Sequence, residues 1–181
     1  MNTTAYPEIK PKDKFIKKLY VMVMLFVVGR AIKAAARTDR AVREEFEKLR
    51  DDFTLRLGVM PAGPAMVVAK DEKGRVRYLG SNPKGRKITL DMGIKNIEAA
   101  MLLFTFREST AISTCRNRLI VQGDLPDACA VVRILDLVEV YLLPKIIAKL
   151  AVKRYPKWSQ VSPLRKHLGR IAVYVRTLAG I

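Results

Sequence analysis

Residues 125–143, "LPDACAVVRILDLVEVYLL", carry charge only at Asp127, Arg133, Asp136 and Glu139. The last three are spaced by three and make a narrow stripe on a helix. Everything else is apolar, an arc wider than one sheet face usually covers. Gly123-Asp124 turns the chain ahead of the stretch, Pro126 fits a first helical turn, and Pro144 stops it. A helix with so much apolar surface has to be hidden. The surrounding chain must therefore supply an apolar wall on several sides, or leave a hollow that an apolar guest fills.

The upstream sequence supplies both periodicities needed for such a wall. Residues 39–52, "DRAVREEFEKLRDD", read as a helix with Asp39 as its cap; Val42, Phe46, Leu49 and Phe53 recur at helical spacing, and Glu44–Lys48 is a supportive pair. In "FTLRL" (53–57), Phe53, Leu55 and Leu57 alternate with Thr54 and Arg56, which is strand period. Gly58 and the Pro61/Gly63/Pro64 cluster break it. Residues 65–80 read as a hairpin around "DEKG". "RKITLDM" (86–92) alternates again, with Ile88, Leu90 and Met92 on one face. In "IKNIEAAMLLFTF", Ile94, Ile97, Met101 and Phe104 fit a helix; a short helical piece over 109–115 leads into a strand over 116–122. The predicted fold class is α+β: a five-stranded, mainly antiparallel sheet covered by helices, with extra N- and C-terminal helices. The predicted division is a basic, apolar N-terminal helical extension (1–38), a central domain (39–143) and a basic C-terminal helical extension (144–181).

The charge is distributed to match. The net charge is +17, yet residues 38–139 hold seventeen basic and fifteen acidic residues and are nearly neutral. Residues 1–37 hold eight basic against two acidic residues, and after Glu139 nine basic residues face none. Two basic ends on a neutral centre point to an anionic partner or serve solubility. Within the first end, "LYVMVMLFVVG" (19–29) is eleven residues without a charge. A membrane span needs about 20 such residues. Arg30 and Lys33 also stand where a signal peptide would keep a neutral cleavage region. The run is expected to be a helix packed on protein, with membrane contact as the alternative. In the tail, 144–154 is helical in pattern and "RYPKWSQVSP" reads as a linker. Residues 163–179 read as a basic amphipathic helix, with Leu164, Leu168, Ile171, Val175 and Leu178 on one side.

Catalytic constellations are not apparent. His167 is the single histidine, which excludes a His-based triad or a His-rich metal cluster within one chain. Cys115 and Cys129 have no metal spacing, lie beside apolar residues, and are expected to be small core residues. "GSNPKGRK" (80–87) falls short of a phosphate loop: Arg86-Lys87 replace Lys-Ser/Thr, and a strand follows rather than a helix. Asp51-Asp52 reads as a solvated helix end and Asp91 as the polar face of a strand. No catalytic residue, metal ligand or cofactor is expected, and the chain is not read as an enzyme. Nucleic acid is an unlikely partner, because Phe46, Phe53, Phe104 and Tyr141 fall on apolar faces; only Tyr155 and Trp158 sit among basic residues.

Four collinear segments carry a family resemblance: "KITLDMG" (87–93), "KNIEAAMLLF" (95–104), "RLIVQGD" (118–124) and "LPDACAVVRIL" (125–135). In this order and spacing they resemble the sterol carrier protein type 2 domain family over roughly a hundred residues. One departure is "FTFREST", which stands where the family carries a short Gly-containing turn; residues 1–38 and 144–181 lie outside the likeness. The resemblance implies an α+β module with a hydrophobic tunnel between sheet and helices that holds a fatty acyl chain, sterol or other lipid.

Periodicity places Met101, Phe104, Ile112, Val131, Leu135, Val138 and Leu142 on the tunnel wall, with Ile88 and Leu90 on its sheet floor. The expected ligand is a lipid or fatty acid, with no catalytic cofactor. The expected location is cytoplasmic, peripheral to an anionic membrane surface that the basic ends would favour. The competing expectation is a ligand-free interaction subunit that docks a protein partner through the apolar N-terminal helix and basic tail.

Overall fold

The computed structural model describes residues 14–142. The tail segments 144–154 and 163–179, with His167, Tyr155 and Trp158, fall outside the described residues. The described elements, in order, are α1 (Phe15–Thr38), α2 (Arg40–Glu47), β1 (Thr54–Val59), β2 (Ala65–Lys70), β3 (Val76–Gly80) and β4 (Leu90–Ile94). They are followed by α3 (Ile97–Phe104), α4 (Thr110–Cys115), β5 (Leu119–Gln122) and α5 (Leu125–Leu142). The class is α+β, with a five-stranded sheet in the order β3-β2-β1-β4-β5. All neighbours are antiparallel except β1 and β4, which run parallel.

The alternating pattern decides which sheet face is covered. Leu55, Leu57 and Val59 of β1 share the inner face with Met66 and Val68 of β2 and with Leu90, Met92 and Ile94 of β4, and all belong to the hydrophobic core. The outer face carries small and charged residues. There Arg56 spans the parallel pair to Asp91, Nη1 donating to both carboxylate oxygens at 3.0 Å.

Helix α1 is the main lid on the inner face. It packs against β2, β3, α2, α3 and α5, burying Val21, Leu25, Val28, Ile32 and Ala35 at the 4-3-4-3 spacing of one helical side. Close approach requires Gly29: a Cβ there would lie 2.5 Å from the Tyr78 ring and 3.4 Å from Met66 Sδ. The helix is long and apolar enough to cross a membrane by length and composition, yet half of its most apolar window is buried inside the protein.

Its N-terminal turn is tied down by charge, since Lys14 and Lys17 pair with Glu98 of α3 at 2.8 and 2.7 Å and hold that carboxyl below its ordinary range. Thr38 ends the helix, and Asp39 caps α2 by accepting from the Ala41 amide at 2.7 Å. The Tyr141 hydroxyl also donates to Asp39, joining the end of α5 to this corner.

Several expected boundaries move. The helix expected over 39–52 ends at Glu47; Asp52 takes a φ of 59°, which a helix cannot accommodate. The strand expected over 86–92 begins only at Leu90 and runs on to Ile94, because Gly93 and Ile94 continue the ladder opposite Gly58 and Val59. Thr89 closes the end of that ladder through its side chain, Oγ1 accepting from the Thr54 amide at 2.9 Å. Ile94 therefore belongs to the sheet rather than to α3. That helix starts at Ile97, since the Asn96 side chain accepts from the Ala99 amide at 2.8 Å.

Gly123 turns the chain into α5 with φ 139°; a Cβ there would lie 2.7 Å from the Thr89 carbonyl oxygen. Both cysteines are exposed rather than in the core. On α4 the inward position belongs to Ser113, and on α5 to Ala128 and Ala130 on either side of Cys129.

Candidate functional site

Where α1 crosses toward α5, the core does not close. A cavity of about 350 Å³ lies there, lined by Tyr20, Met24, Val27 and Val28 of α1, Leu57 of β1, and Leu103, Phe104 and Phe106 at the end of α3. Thr110 of α4 and Leu135 and Glu139 of α5 complete the wall. The volume falls within the range of small-molecule pockets, and such pockets are mostly apolar with a few fixed polar groups. Among the described residues the cavity's polar groups are three. The Tyr20 hydroxyl is engaged, donating to the Phe104 carbonyl at 3.2 Å. Thr110 and Glu139 are the others. Phe106 is carried into the wall by a left-handed backbone, φ 59°, within the "FTFREST" segment.

The segment that carries Thr110 into the wall is tied by charge to its neighbours. Glu108 is buried and receives Arg116, Arg118 and the Ser113 hydroxyl. Burial alone would raise this carboxyl, but the two guanidinium groups hold it below its ordinary range. Glu139 has the opposite balance. Burial pushes its carboxyl up to about 7, and Asp136, one turn earlier, adds like charge. Burial raises Asp136 as well.

The residues predicted from periodicity separate into distinct groups. Phe104 and Leu135 line the cavity. Leu90, Val131 and Val138 are buried in the core outside that lining. Met101 is half-buried against the core, and Ile88 is half-buried just ahead of β4. Ile112 is a correction: it is 46% exposed, because α4 turns Ser113 inward toward Glu108 and leaves Ile112 facing solvent. Leu142 ends α5, and its side chain is outside the described residues.

The lining that periodicity missed comes mainly from α1. Its signal was the charge-free run 19–29, read as a cover and not as a wall. Leu57 was visible in the β1 alternation, and Glu139 in the sparse charged stripe of α5.

A second cleft, of about 500 Å³, opens between α2 and the β2–β3 hairpin. Although larger, it is lined by Arg37, Arg43, Lys73 and Arg75 together with Glu47 and Asp51. Lys70 at its base donates to the Leu49 carbonyl at 2.8 Å. It offers no continuous hydrocarbon wall. Among the described residues no cluster of His, Cys, Asp or Glu could hold a metal ion.

No family model and no curated protein matches the chain. Solved structures do. The chain is similar to a protein described as UbiJ-SCP2, a ubiquinone synthesis protein, at 18% identity and a TM-score of 0.45, over 68% of this chain and 98% of that one. It is similar to sterol carrier protein 2 from Yarrowia lipolytica in its apo form, at 19% identity and TM-score 0.42, over 65% and 91%. The sterol carrier protein domain 2 of Helicoverpa armigera follows at 17% identity and TM-score 0.39, over 72% and 94%.

Proposed function

We propose that this chain is a non-enzymatic lipid-binding protein that seats a hydrocarbon chain in the cavity between α1, α3 and α5. The observation that carries the reading is the cavity itself: about 350 Å³, walled mainly by hydrocarbon side chains among the described residues. Each buried CH₂ contributes about 0.8 kcal/mol, so even a medium-length chain offsets the cost of immobilising it. Among the described residues of the lining no nucleophile is hydrogen-bonded to a base.

The outer side of α1 supports a membrane-peripheral role. Phe15, Ile16, Leu19, Met22 and Val23 are exposed and share their helix with Lys17 and Lys18, Lys17 being paired with Glu98. Exposed apolar residues suit a lipid surface, and the net charge of +17 suits an anionic one. The cytoplasmic leaflet of a membrane is the location this charge favours.

The test is extraction of gently purified protein with organic solvent, followed by mass spectrometry, together with titration by a fluorescent long-chain probe. A co-purifying lipid near one per chain is expected, and Val27→Trp, which fills the cavity, is expected to lose the probe. A lipid-free protein that ignores the probe sinks the reading. The same exposed side of α1 favours one second reading, a docking surface for a partner protein. A lipid-free chain that co-purifies with a stoichiometric protein would favour that instead.

A further inference from the structure

Glu139, like Asp136 one turn before it, is out of keeping with the other shielded carboxylates, and of the two only Glu139 is in the cavity lining. Glu45 is met by Arg133 at 2.8 Å and by Lys48, Asp91 by Arg56, and Glu108 by Arg116, Arg118 and Ser113. Among the described residues no side chain donates to Glu139 or pairs with it; its charged neighbour is Asp136, of the same sign. It lies in the cavity wall, and no lysine, arginine or histidine is among the described residues of that wall. A half-buried carboxyl with no donor among the described residues keeps its accepting capacity for another group. Such a group in an otherwise apolar cavity is the feature expected of a specificity contact.

We propose that Glu139 is the headgroup contact of the cavity, and that it selects lipids whose polar end donates a hydrogen bond, an alcohol or an amine, over lipids ending in a carboxylate or an ester. The assignment rests on the lipid-binding reading above and narrows it. An ionised carboxylate only accepts hydrogen bonds. A hydroxyl or ammonium head would meet that need, whereas a second carboxylate would face like charge with no cation among the described residues of the wall. An ester offers acceptors alone. The upward displacement of the Glu139 carboxyl to about 7 agrees with a group that lacks such a donor in the free protein.

The experiment is competition against a fluorescent long-chain probe by four compounds of equal chain length: an alkyl alcohol, an alkyl amine, a fatty carboxylate and its methyl ester. The full chain is used in mildly alkaline buffer, where Glu139 is ionised. The alcohol, the amine, or both are expected to displace the probe at concentrations on the order of tenfold below the ester, as a hydrogen bond to a charged group implies. The carboxylate is expected to compete worst.

Glu139→Leu is expected to erase the difference between the hydrogen-bond donors and the ester. Glu139→Gln, of the same shape but uncharged, is expected to lose any amine preference and keep part of any alcohol preference. If the leucine variant fails to fold, the glutamine variant decides by the same criterion. Equal binding of all four compounds, or a preference unchanged in the variants, overturns the headgroup assignment while lipid binding stands. Failure of every compound and of the probe overturns both.

Discussion

The two long sides of α1 are equally greasy in sequence and unequal in use. On one side Val21, Leu25, Val28 and Ile32 are buried against the sheet and α5. On the other, Phe15, Leu19, Met22 and Val23 are open to solvent. Between them Tyr20, Met24 and Val27 face the cavity. Hydrophobicity alone therefore does not assign a role along this helix. The inward side is held by shape: Gly29 and a run of alanines let the backbone come close to Tyr78 and the sheet. The outward side has no such fit and is free for something outside the fold.

The difference can be broken most directly on the inward side. Leu25→Ala leaves a hole in a fully packed stripe and is expected to cost about 3 kcal/mol of unfolding free energy, measured by denaturant titration. A cost below about 1 kcal/mol would mean that α1 does not close the core as described.

A second, somewhat smaller effect lies on the wall facing α1. Burial raises the Glu139 carboxyl to about 7, above the unfolded value of about 4.3. The folded state then binds the proton more tightly than the unfolded chain, so stability is fully present below the unfolded value. It is lost as pH rises through about 7 and is flat above. Discounting for incomplete burial, the loss is about 2 kcal/mol. Chemical denaturation of the full chain at acidic and mildly alkaline pH checks it. Glu139→Gln is expected to flatten the profile, and a slope of the same size in that variant would move the cause elsewhere, Asp136 being the first candidate.

The outward side should give the smallest change in stability and the largest change in association. Replacing Leu19, Met22 and Val23 together with serine is expected to shift unfolding by no more than about 0.5 kcal/mol per site, as surface substitutions do. The same variant is expected to lose sedimentation with vesicles containing an anionic phospholipid. Undiminished vesicle binding would remove α1 from the membrane-facing role.

Much of the architecture was legible from periodicity. The two-residue period announced Leu55 and Leu57 on the inner face of β1, and the sparse charges of α5 announced a helix that needed cover. Boundaries were less legible, because they turn on single hydrogen bonds. Asn96 starts α3 by capping the Ala99 amide, and Thr89 ends the β1–β4 ladder through its side chain; neither leaves a mark in hydropathy. Ile112 was misplaced for a related reason. On a helix of six residues, one polar contact, Ser113 to Glu108, decides which way the helix faces.

The cavity itself was half readable. Phe104 and Leu135 follow from helical spacing, but the wall supplied by α1 does not, because no local rule says which side of an all-apolar helix meets which partner. What the sequence determined by itself is the alternation, the caps and turns, and the surplus of apolar surface, since these depend on neighbours a few positions apart. Only the tertiary structure decided that α1 lies over the sheet, that a hollow remains beside it, and that Glu139 lines that hollow without a donor among the described residues while Glu108 has three. Those outcomes depend on packing between segments up to about a hundred residues apart. A carboxyl's surroundings, and with them its charge, belong to that packing and not to the letter at its position.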